Sequence, residues 1–318
     1  MLKSILLAVT LLFSAVGPVA TAANYPERQI ILVIPTAPGG SASLSGQILA
    51  EFLKRQFKQP VTINYKPGAA QATGTEQVLK GRPDGYTLGY SFEPDLASKI
   101  VLDGKTLAFG KDDFVHLGAT AFAPYLLWVK SDSPWKTFDE LVSHGRNKEL
   151  SFSSAGIGAM NHIYVEVIAR KTGIKINHVP FAGGGPATVA LLGGHVNMAV
   201  GSFGRMKQYL DSGMLRPLVV LAKKRITEAK DVPTAEEKGF DVEGYVYHRL
   251  FAPKGLQQDV IAKLTTAFEK AVTDPEFQSA LTKAGFEPRF VNAQATKDMW
   301  EADFKVVAAV LSEGGQKK

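Results

Sequence analysis

The chain contains no cysteine among its 318 residues. Disulfide bonds, thiolate catalysis and cysteine-ligated metals are therefore excluded. Its six histidines show no paired spacing of the kind that metal sites use. After the first 23 residues, no segment is long and apolar enough to predict a membrane span. A chain of this length can instead be stabilised by burying a large hydrophobic core.

Sequence motifs of several enzyme and nucleic-acid-binding classes are also missing. Gly201-Ser202-Phe203-Gly204 has the wrong spacing for a nucleophile elbow. Gly156-Ile157-Gly158 is followed by Asn161 where a dinucleotide-binding loop has its third glycine. The formal net charge of +6 comes from scattered basic residues without interleaved aromatics, which indicates a solvated surface rather than a nucleic-acid interface. We therefore expect no cofactor, no metal and no nucleic-acid partner.

The first 23 residues have the pattern of a signal peptide. Lys3 supplies the positive start, residues 5–19 are apolar, and Ala20-Thr21-Ala22 is a small-residue cleavage site. The apolar stretch is short and contains Gly17-Pro18, which disfavours a membrane anchor. The sequence thus predicts export to the periplasm.

Apolar runs alternate with helical patterns along the rest of the chain, which predicts a largely parallel α/β architecture. Strands are expected at 29–34, 61–65, 86–90, 115–121, 125–130, 150–153, 176–180, 196–200, 216–221 and 245–251. We expect the chain to cross between two lobes near Ala123-Pro124 and to return near residues 239–244. Lobe I then comprises residues 24–122 plus 245–318, and lobe II comprises residues 123–244. Two adjacent linkers between the lobes are typical of a hinge.

A strand followed by a glycine-rich loop that opens a helix occurs in two distant places. The first loop is 35–41, after the strand at 30–34, and the second is 155–159, after the strand at 150–154. Glycine allows close approach of the backbone, and a helix N-terminus presents free N–H groups with a partial positive charge. Each loop is therefore a candidate anion site, and together they could hold one small anion from two sides.

Two further strands of the second lobe also end in small residues. The strand at 176–180 runs into Phe181-Ala182-Gly183, and the strand at 196–200 runs into Gly201-Ser202. Ligands of open α/β sheets bind beyond the carboxyl ends of the strands, so we interpret these loops as one ligand site rather than as tight turns. His162, in the first turn after a candidate loop, is either a ligand contact or a histidine bonded locally.

A series of motifs occurs in a fixed order over nearly the whole mature chain. They are Pro35-Thr36-Ala37-Pro38-Gly39-Gly40, Lys66-Pro67-Gly68-Ala69, Pro83-Asp84-Gly85-Tyr86-Thr87, Ser154-Ala155-Gly156-Ile157-Gly158, His178-Val179-Pro180-Phe181-Ala182-Gly183, Leu192-Gly193-Gly194-His195-Val196, Asp231-Val232-Pro233-Thr234 and Ala252-Pro253-Lys254-Gly255. With these motifs the chain resembles the Bug/TctC family of periplasmic solute receptors of tripartite tricarboxylate transporters. The resemblance implies an α/β, two-lobed periplasmic-binding-protein (Venus-flytrap) fold with a ligand cleft between the lobes. It also implies that loops 35–41 and 154–159 hold a carboxylate, partly through water.

The chain departs from the family pattern at several positions of the expected site. Gly201 and Ser202 stand where an Asp-Asn pair is common, and loss of that carboxylate predicts a ligand without an amino group. Thr36 replaces an aromatic residue. Arg249 is either a ligand for a second carboxylate or a rim residue facing solvent. Glu93, which follows Phe92 after a strand, is a further departure that narrows the choice of ligand.

The resulting prediction is a periplasmic binding protein, not an enzyme, that captures a small aromatic or aliphatic carboxylate by hinge closure. It is expected to be a monomer that meets a permease of the tripartite tricarboxylate type or a sensor. The alternatives are a receptor that only signals and an exported ester or amide hydrolase with Ser202 as nucleophile and His162 or His248 as base. The predicted ligand-binding residues are Thr36, Ala37, Pro38, Gly39, Gly40, Ser41, Phe92, Ser154, Ala155, Gly156, Gly158, His162, Phe181, Ala182, Gly183, Gly201, Ser202 and Arg249.

Overall fold

A computed structural model describes residues 24–181 and 183–313. The predicted signal peptide lies outside the described residues, and so does Ala182. The strands are β1 (Ile30–Ile34), β2 (Val61–Tyr65), β3 (Thr87–Phe92), β4 (Phe114–Lys130), β5 (Leu150–Ser154), β6 (Ile176–Pro180), β7 (Met198–Ser202), β8 (Leu215–Leu221) and β9 (Tyr245–Pro253). The α-helices are α1 (Ser41–Phe57), α2 (Ala72–Leu79), α3 (Glu93–Asp103), α4 (Phe138–Asn147), α5 (Met160–Thr172), α6 (Gly184–Leu192), α7 (Phe203–Asp211), α8 (Gln258–Ala271), α9 (Pro275–Lys283) and α10 (Ala293–Glu313).

The nine strands form one mixed sheet in the order β2-β1-β3-β9-β4-β7-β5-β6, with β8 also paired to β4. The pairs β1–β2, β1–β3, β5–β6 and β5–β7 are parallel, as the alternation of strands and helices predicts. Every pair that includes β4 or β9 is antiparallel, so the expectation of a largely parallel sheet holds only for the outer strands.

Strand β4 joins the two ends of the sheet. Residues 114–124 pair with β9, whereas residues 125–130 pair with β7 and β8. The sequence predicts two separate strands here, but the chain continues extended through Pro124. The pairing of β4 with β9 contains register shifts between His116 and Gly118 and between Thr120 and Ala123, and Ala121 has a positive φ of 56°. The β4 strand is therefore a bent connection rather than a break.

Buried apolar stripes attach the helices to the sheet. In α1, Leu49, Phe52 and Leu53 are buried, as their helical spacing predicts. The helix α5 buries almost its entire first half, including Ile163 and Val165. Because helices α1 to α8 each follow a strand, this packing sets their N-termini beyond the strand ends, where the glycine loops lie. Within the described residues no helix is long and apolar enough to cross a membrane.

Candidate functional site

The first glycine loop leaves the N-terminus of α1 without a protein partner. Gly40 is the N-cap residue, and no side chain caps the helix. Within the described part of the chain, the N–H groups of Ser41, Ala42 and Ser43 donate no hydrogen bond to protein. Thr36 adds a buried hydroxyl Oγ1 that also has no partner. This end of α1 therefore has unused donors and the positive end of a helix dipole, which suit an anion.

A buried histidine supports this loop from below. The Nε2 atom of His248 lies 3.3 Å from Ser41 Oγ, and its Nδ1 atom lies 3.2 Å from Ser45 Oγ. The ring stacks on Tyr90, which itself donates to Ser45. Burial lowers the pKa of His248 to about 3, so the imidazole is neutral at physiological pH. His248 thus holds the first turn of α1 in place without adding charge.

The second glycine loop is different, because its own residues use its N–H groups. The Ala155 N–H donates to Asn161 Oδ1 at 3.2 Å, the Gly156 N–H donates to Ser154 Oγ at 3.1 Å, and the Gly158 N–H donates to His162 Nδ1 at 3.1 Å. The expected symmetry between the two loops is therefore absent from this structure. An anion would find more free donors at the first loop than at the second.

His162 stacks on His178 with ring centroids 4.1 Å apart, and His178 Nε2 lies 2.6 Å from Ser154 Oγ. Burial lowers the pKa of both imidazoles, that of His178 to about 4. In this structure His162 has the locally bonded role that was one of the two possibilities from sequence.

The N-terminal half of α3 makes hydrogen bonds to the second glycine loop and to the start of α5. Asp95 Oδ1 accepts a hydrogen bond of 2.8 Å from the N–H of Met160, at the start of α5, and Ser98 Oγ donates to the Gly158 carbonyl. Burial raises the pKa of Asp95 to about 6, against the opposing effects of the Met160 N–H and Arg205. Asp95 therefore occupies a helix N-terminal donor that a bound anion would otherwise use.

The loops after β6 and β7 complete the arrangement. Phe181 N–H donates to the Ser154 carbonyl at 3.0 Å, and Gly183 N–H donates to the Ala155 carbonyl at 3.2 Å, so the loops after β5 and β6 lie side by side. Gly183 and Ser202 are the N-cap residues of α6 and α7, and neither helix has a side-chain cap. Two more uncapped N-termini thus lie at this edge of the sheet.

The first loop and the start of α7 lie close together through Phe286. The Phe286 ring is 5.6 Å from the His248 ring, centroid to centroid. The same ring packs against Gly204 so closely that a Cβ at Gly204 would lie 2.7 Å from it. The N-termini of α1 and α7 therefore share one region, even though about 160 residues separate them in the sequence.

Arg249 lies elsewhere than the cleft contact considered from sequence. Its side chain is fully buried, with the guanidinium over the rings of Phe114 and Trp300 and Nη1 at 3.0 Å from His116 Nδ1. It packs in the core beneath α3 and α10 instead of facing a glycine loop. The structure also rules against the solvent-facing alternative, because the residue has no exposed surface.

The remaining predicted residues divide into three groups. Ala37, Pro38 and Gly39 are exposed at the tip of the first loop. The Phe92 backbone ends β3 opposite His248 in the register, and Ala182 lies outside the described residues. At Gly158, where φ is +79°, a side chain would collide with Leu102 of α3 rather than with a bound anion. A surface depression of about 720 Å³, lined by Lys136, Asp211 and Arg216 among others, includes none of the predicted residues.

Sequence reasoning missed Asp95 and Arg205. Asp95 was hard to find, because an acidic residue in the first turn of a helix is an ordinary preference. Arg205 did leave a signal: a cation in the first turn of α7 opposes the helix dipole. A residue that breaks a local rule in this way is a candidate for function.

The fold and the converging helix N-termini define the class of a two-lobed solute-binding protein. The family model described as "Tripartite tricarboxylate transporter family receptor" (TctC) matches residues 46–315, so the chain belongs to this family. The sequence is 31% identical over 306 residues to the "UPF0065 protein in gbd 5'region" of Cupriavidus necator, covering 94% of this chain and 91% of the relative.

Solved structures of the same class superpose over most of the chain. The periplasmic binding protein BugD is 26% identical with a TM-score of 0.84, covering 92% of this chain and 100% of its own. Rpa4515 of Rhodopseudomonas palustris with adipate is 25% identical with a TM-score of 0.85, covering 92% and 98%. MatC (Rpa3494) of the same organism with bound malate is 25% identical with a TM-score of 0.81, covering 90% and 100%. The predicted family and α/β binding-protein fold are confirmed.

The family consists of periplasmic binding proteins, not enzymes, which confirms that prediction and removes the hydrolase alternative. Within the described residues, the Ser202 hydroxyl makes no hydrogen bond to a histidine. His162 is bonded to Gly158, and His248 to Ser41 and Ser45. The group of side chains needed to activate Ser202 is not assembled.

Proposed function

We propose that this chain is exported through the signal peptide at residues 1–23 and captures a small aromatic or aliphatic carboxylate that lacks an amino group. The single observation that carries the proposal is the uncapped N-terminus of α1, with three free N–H groups beside the unpartnered Thr36 hydroxyl. Charge-assisted hydrogen bonds from backbone donors suit a carboxylate without demanding one particular molecule. The adipate and malate bound by two relatives are consistent with this class of ligand.

Closure of two lobes around the carboxylate is the proposed mechanism. We assign lobe I to residues 24–122 plus 245–318 and lobe II to residues 123–244. The division is supported by β4, whose first part pairs with β9 and whose second part pairs with β7 and β8. Asp95 and Ser98 of lobe I would then close onto the second glycine loop of lobe II. A ligand stabilises the closed state by the contacts that it makes with both lobes.

The glycine loops contribute unequally in this proposal. Thr36 to Ser41 hold the carboxylate directly. The second glycine loop has its N–H groups already hydrogen-bonded, and it forms the surface that α3 contacts. The residues of that surface are Ser154, Ala155, Gly156, Gly158 and His162. Phe181, Gly183, Gly201 and Ser202 line the remainder of the cleft. The absence of a carboxylate at position 201 leaves no partner there for a ligand ammonium group. The loaded monomer then delivers its ligand to a tripartite tricarboxylate-type permease or to a sensor.

A thermal-shift screen of the mature chain against carboxylates, amino acids, sugars and phosphates tests this proposal. A ligand present at about 1,000 times its Kd adds about 4 kcal/mol to the free energy of unfolding, which raises the Tm by several degrees. We expect shifts from carboxylates without an amine. Shifts from sugars or amino acids alone, or from none of the compounds, would contradict it. Growth on the identified carboxylate after deletion of the permease genes separates a transport receptor from one that only signals.

A further inference from the structure

One face of α3 docks on the second glycine loop, which belongs to the other proposed lobe. The spacing of Asp95, Ser98 and Leu102 places them on the same side of the helix. Asp95 Oδ1 accepts from the Met160 N–H at 2.8 Å, and Ser98 Oγ donates to the Gly158 carbonyl. Leu102 packs directly on Gly158, since a Cβ there would lie 2.3 Å from Leu102 Cδ1. A carboxylate, a hydroxyl and an apolar side chain therefore hold α3 against the loop.

The second loop is shaped to receive this helix. Gly158 has a φ of +79°, which favours glycine, and its lack of a side chain lets Leu102 approach the backbone. Its N–H donates to His162 Nδ1 at 3.1 Å, within the same lobe, and this bond fixes the residue whose carbonyl Ser98 uses. Every group in the contact has its partner within the chain. The contact therefore needs no ligand in order to form.

Apolar side chains support these polar bonds. Val101 of α3 and Val307 of α10 pack against the hydrophobic core that includes Phe152 of β5 and Ile163 of α5. Two helices of lobe I thus add to the core of lobe II. The hydrogen bonds at Asp95 and at the Gly158 carbonyl lie beside buried apolar packing, which makes them more than isolated surface contacts.

The start of the same helix lies beside the first glycine loop. The helix α3 begins directly after β3, whose last residue, Phe92, pairs with His248 in the register of β9. His248 Nε2 lies 3.3 Å from Ser41 Oγ, in the first turn of α1. The helix α3 therefore extends from the region of the first glycine loop to the second. Its movement away from the second loop would separate the two loops on that side.

We propose that α3 is a gate, whose face formed by Asp95, Ser98 and Leu102 closes on the second glycine loop without a ligand and must release before a ligand enters or leaves. This inference rests on the proposed capture of a carboxylate between two lobes and adds the step that sets its rate. Where a ligand first draws open lobes together, loss of a closing contact mainly speeds dissociation. Where the contact exists beforehand, its loss speeds entry and exit alike. The Kd then changes little, because the contact stabilises the free and the loaded protein equally.

The test measures the association and dissociation rate constants of succinate by stopped-flow fluorescence. Because the chain has no cysteine, a fluorophore on Lys105→Cys, in the exposed turn after α3, is attached at that position alone. Loss of a hydrogen bond to a charged group shifts the opening equilibrium about 10- to 100-fold, and loss of a neutral one about 2- to 10-fold.

We expect both rate constants to rise about 10- to 100-fold in Asp95→Ala and about 2- to 10-fold in Ser98→Ala. The Kd in Ser98→Ala should change less than about 3-fold, because the two rates rise together. The control is Asp112→Ala, which removes a carboxylate whose side chain is 68% exposed and should leave both rate constants unchanged.

Hydrogen exchange tests the gate without any ligand. The Met160 N–H donates to Asp95, and it should exchange about 2- to 10-fold faster in Ser98→Ala, because the contacts of one helix face release together. Unchanged exchange at Met160, unchanged rate constants in both variants, or a rise in the dissociation rate alone would overturn the inference and leave carboxylate capture standing. If the unmodified protein binds neither succinate nor any other carboxylate, the proposed function fails, and the exchange at Met160 still decides whether the gate exists.

Discussion

A side-chain cap introduced at the N-terminus of α1 should raise the free energy of unfolding and lower the affinity for carboxylates. Gly40, the N-cap residue, has φ −80° and ψ 172°, an extended conformation that aspartate adopts readily as an N-cap. A Cβ there would have no contact closer than 3.7 Å. In Gly40→Asp, the new carboxylate is expected to accept from the free N–H groups of the first turn. It would thus occupy the donors that we assign to the ligand.

The two effects have opposite signs and different sizes. Replacing glycine by a charged cap gains a few tenths of a kcal/mol from the hydrogen bond and about 0.3–1 kcal/mol from the helix dipole. The free energy of unfolding of the ligand-free protein should therefore rise by about 1 kcal/mol. A competing charged group removes charge-assisted hydrogen bonds of about 1.5–3 kcal/mol from the ligand, which corresponds to about 10- to 100-fold weaker binding.

The helix α8 provides a matched control. Its N-cap residue, Gln257, is extended, exposed and without a capping hydrogen bond. Gln257→Asp should give a similar gain in Tm without any loss of affinity, since α8 does not open from a glycine loop of the site. Thermal melts and calorimetric titrations of both variants measure the two effects. A Gly40→Asp protein that is more stable yet binds the carboxylate unchanged would refute the assignment of α1 as its binding site.

Three other predictions concern the stability of the folded chain. Asp95→Ala leaves the Met160 N–H without its partner and should cost about 1–3 kcal/mol, whereas Asp95→Asn keeps an acceptor and should cost less; equal losses in urea melts would contradict the proposed contact. In Gly158→Ala, the new Cβ would collide with Leu102 at a residue whose φ is +79°, so the Tm should fall. A Tm equal to that of the wild type would contradict this steric explanation for the glycine. Burial lowers the pKa of His116 and His248 to about 3, so below about pH 6.5 the unfolded chain takes up protons that the folded chain does not. Each imidazole therefore lowers the free energy of unfolding by up to about 2.7 kcal/mol as the pH falls from about 6.5 to about 4.5. The raised pKa of Asp95 opposes this loss below about pH 6, and a His248→Asn variant should show a smaller fall in Tm on acidification; an undiminished fall would contradict the assignment to His248.

The sequence predicted the loops and helices of this site better than it predicted which loop has free N–H donors. The strand-loop-helix pattern at 30–41 correctly placed a helix N-terminus behind a glycine turn. Ser41 and Ser43 were candidates to cap that helix, but its N-cap residue is Gly40, which offers no side-chain acceptor. The same pattern at 150–160 misled, since its free donors are used by Asn161 and His162 from the next turn and by Asp95 from a distant helix. Contacts of that last kind depend on tertiary packing, which a single sequence does not show.

Arg249 illustrates a related difficulty with strands. Successive residues of a strand point to opposite faces, so His248 and Arg249 must diverge. His248 faces Ser41 and the first glycine loop, whereas Arg249 faces Trp300. Which of the two faces the site depends on the register of β9 against β3 and β4, and β4 contains two register shifts.

Calorimetric titration of the mature chain with succinate, butyrate and aspartate tests the central claim most directly. These ligands share a four-carbon chain and differ in carrying two carboxylates, one carboxylate, or two carboxylates with an amine. We predict that succinate and butyrate bind more tightly than aspartate, since position 201 offers no carboxylate to pair with a ligand ammonium group. Preferential binding of aspartate would contradict the account, as would a failure of both succinate and butyrate to bind.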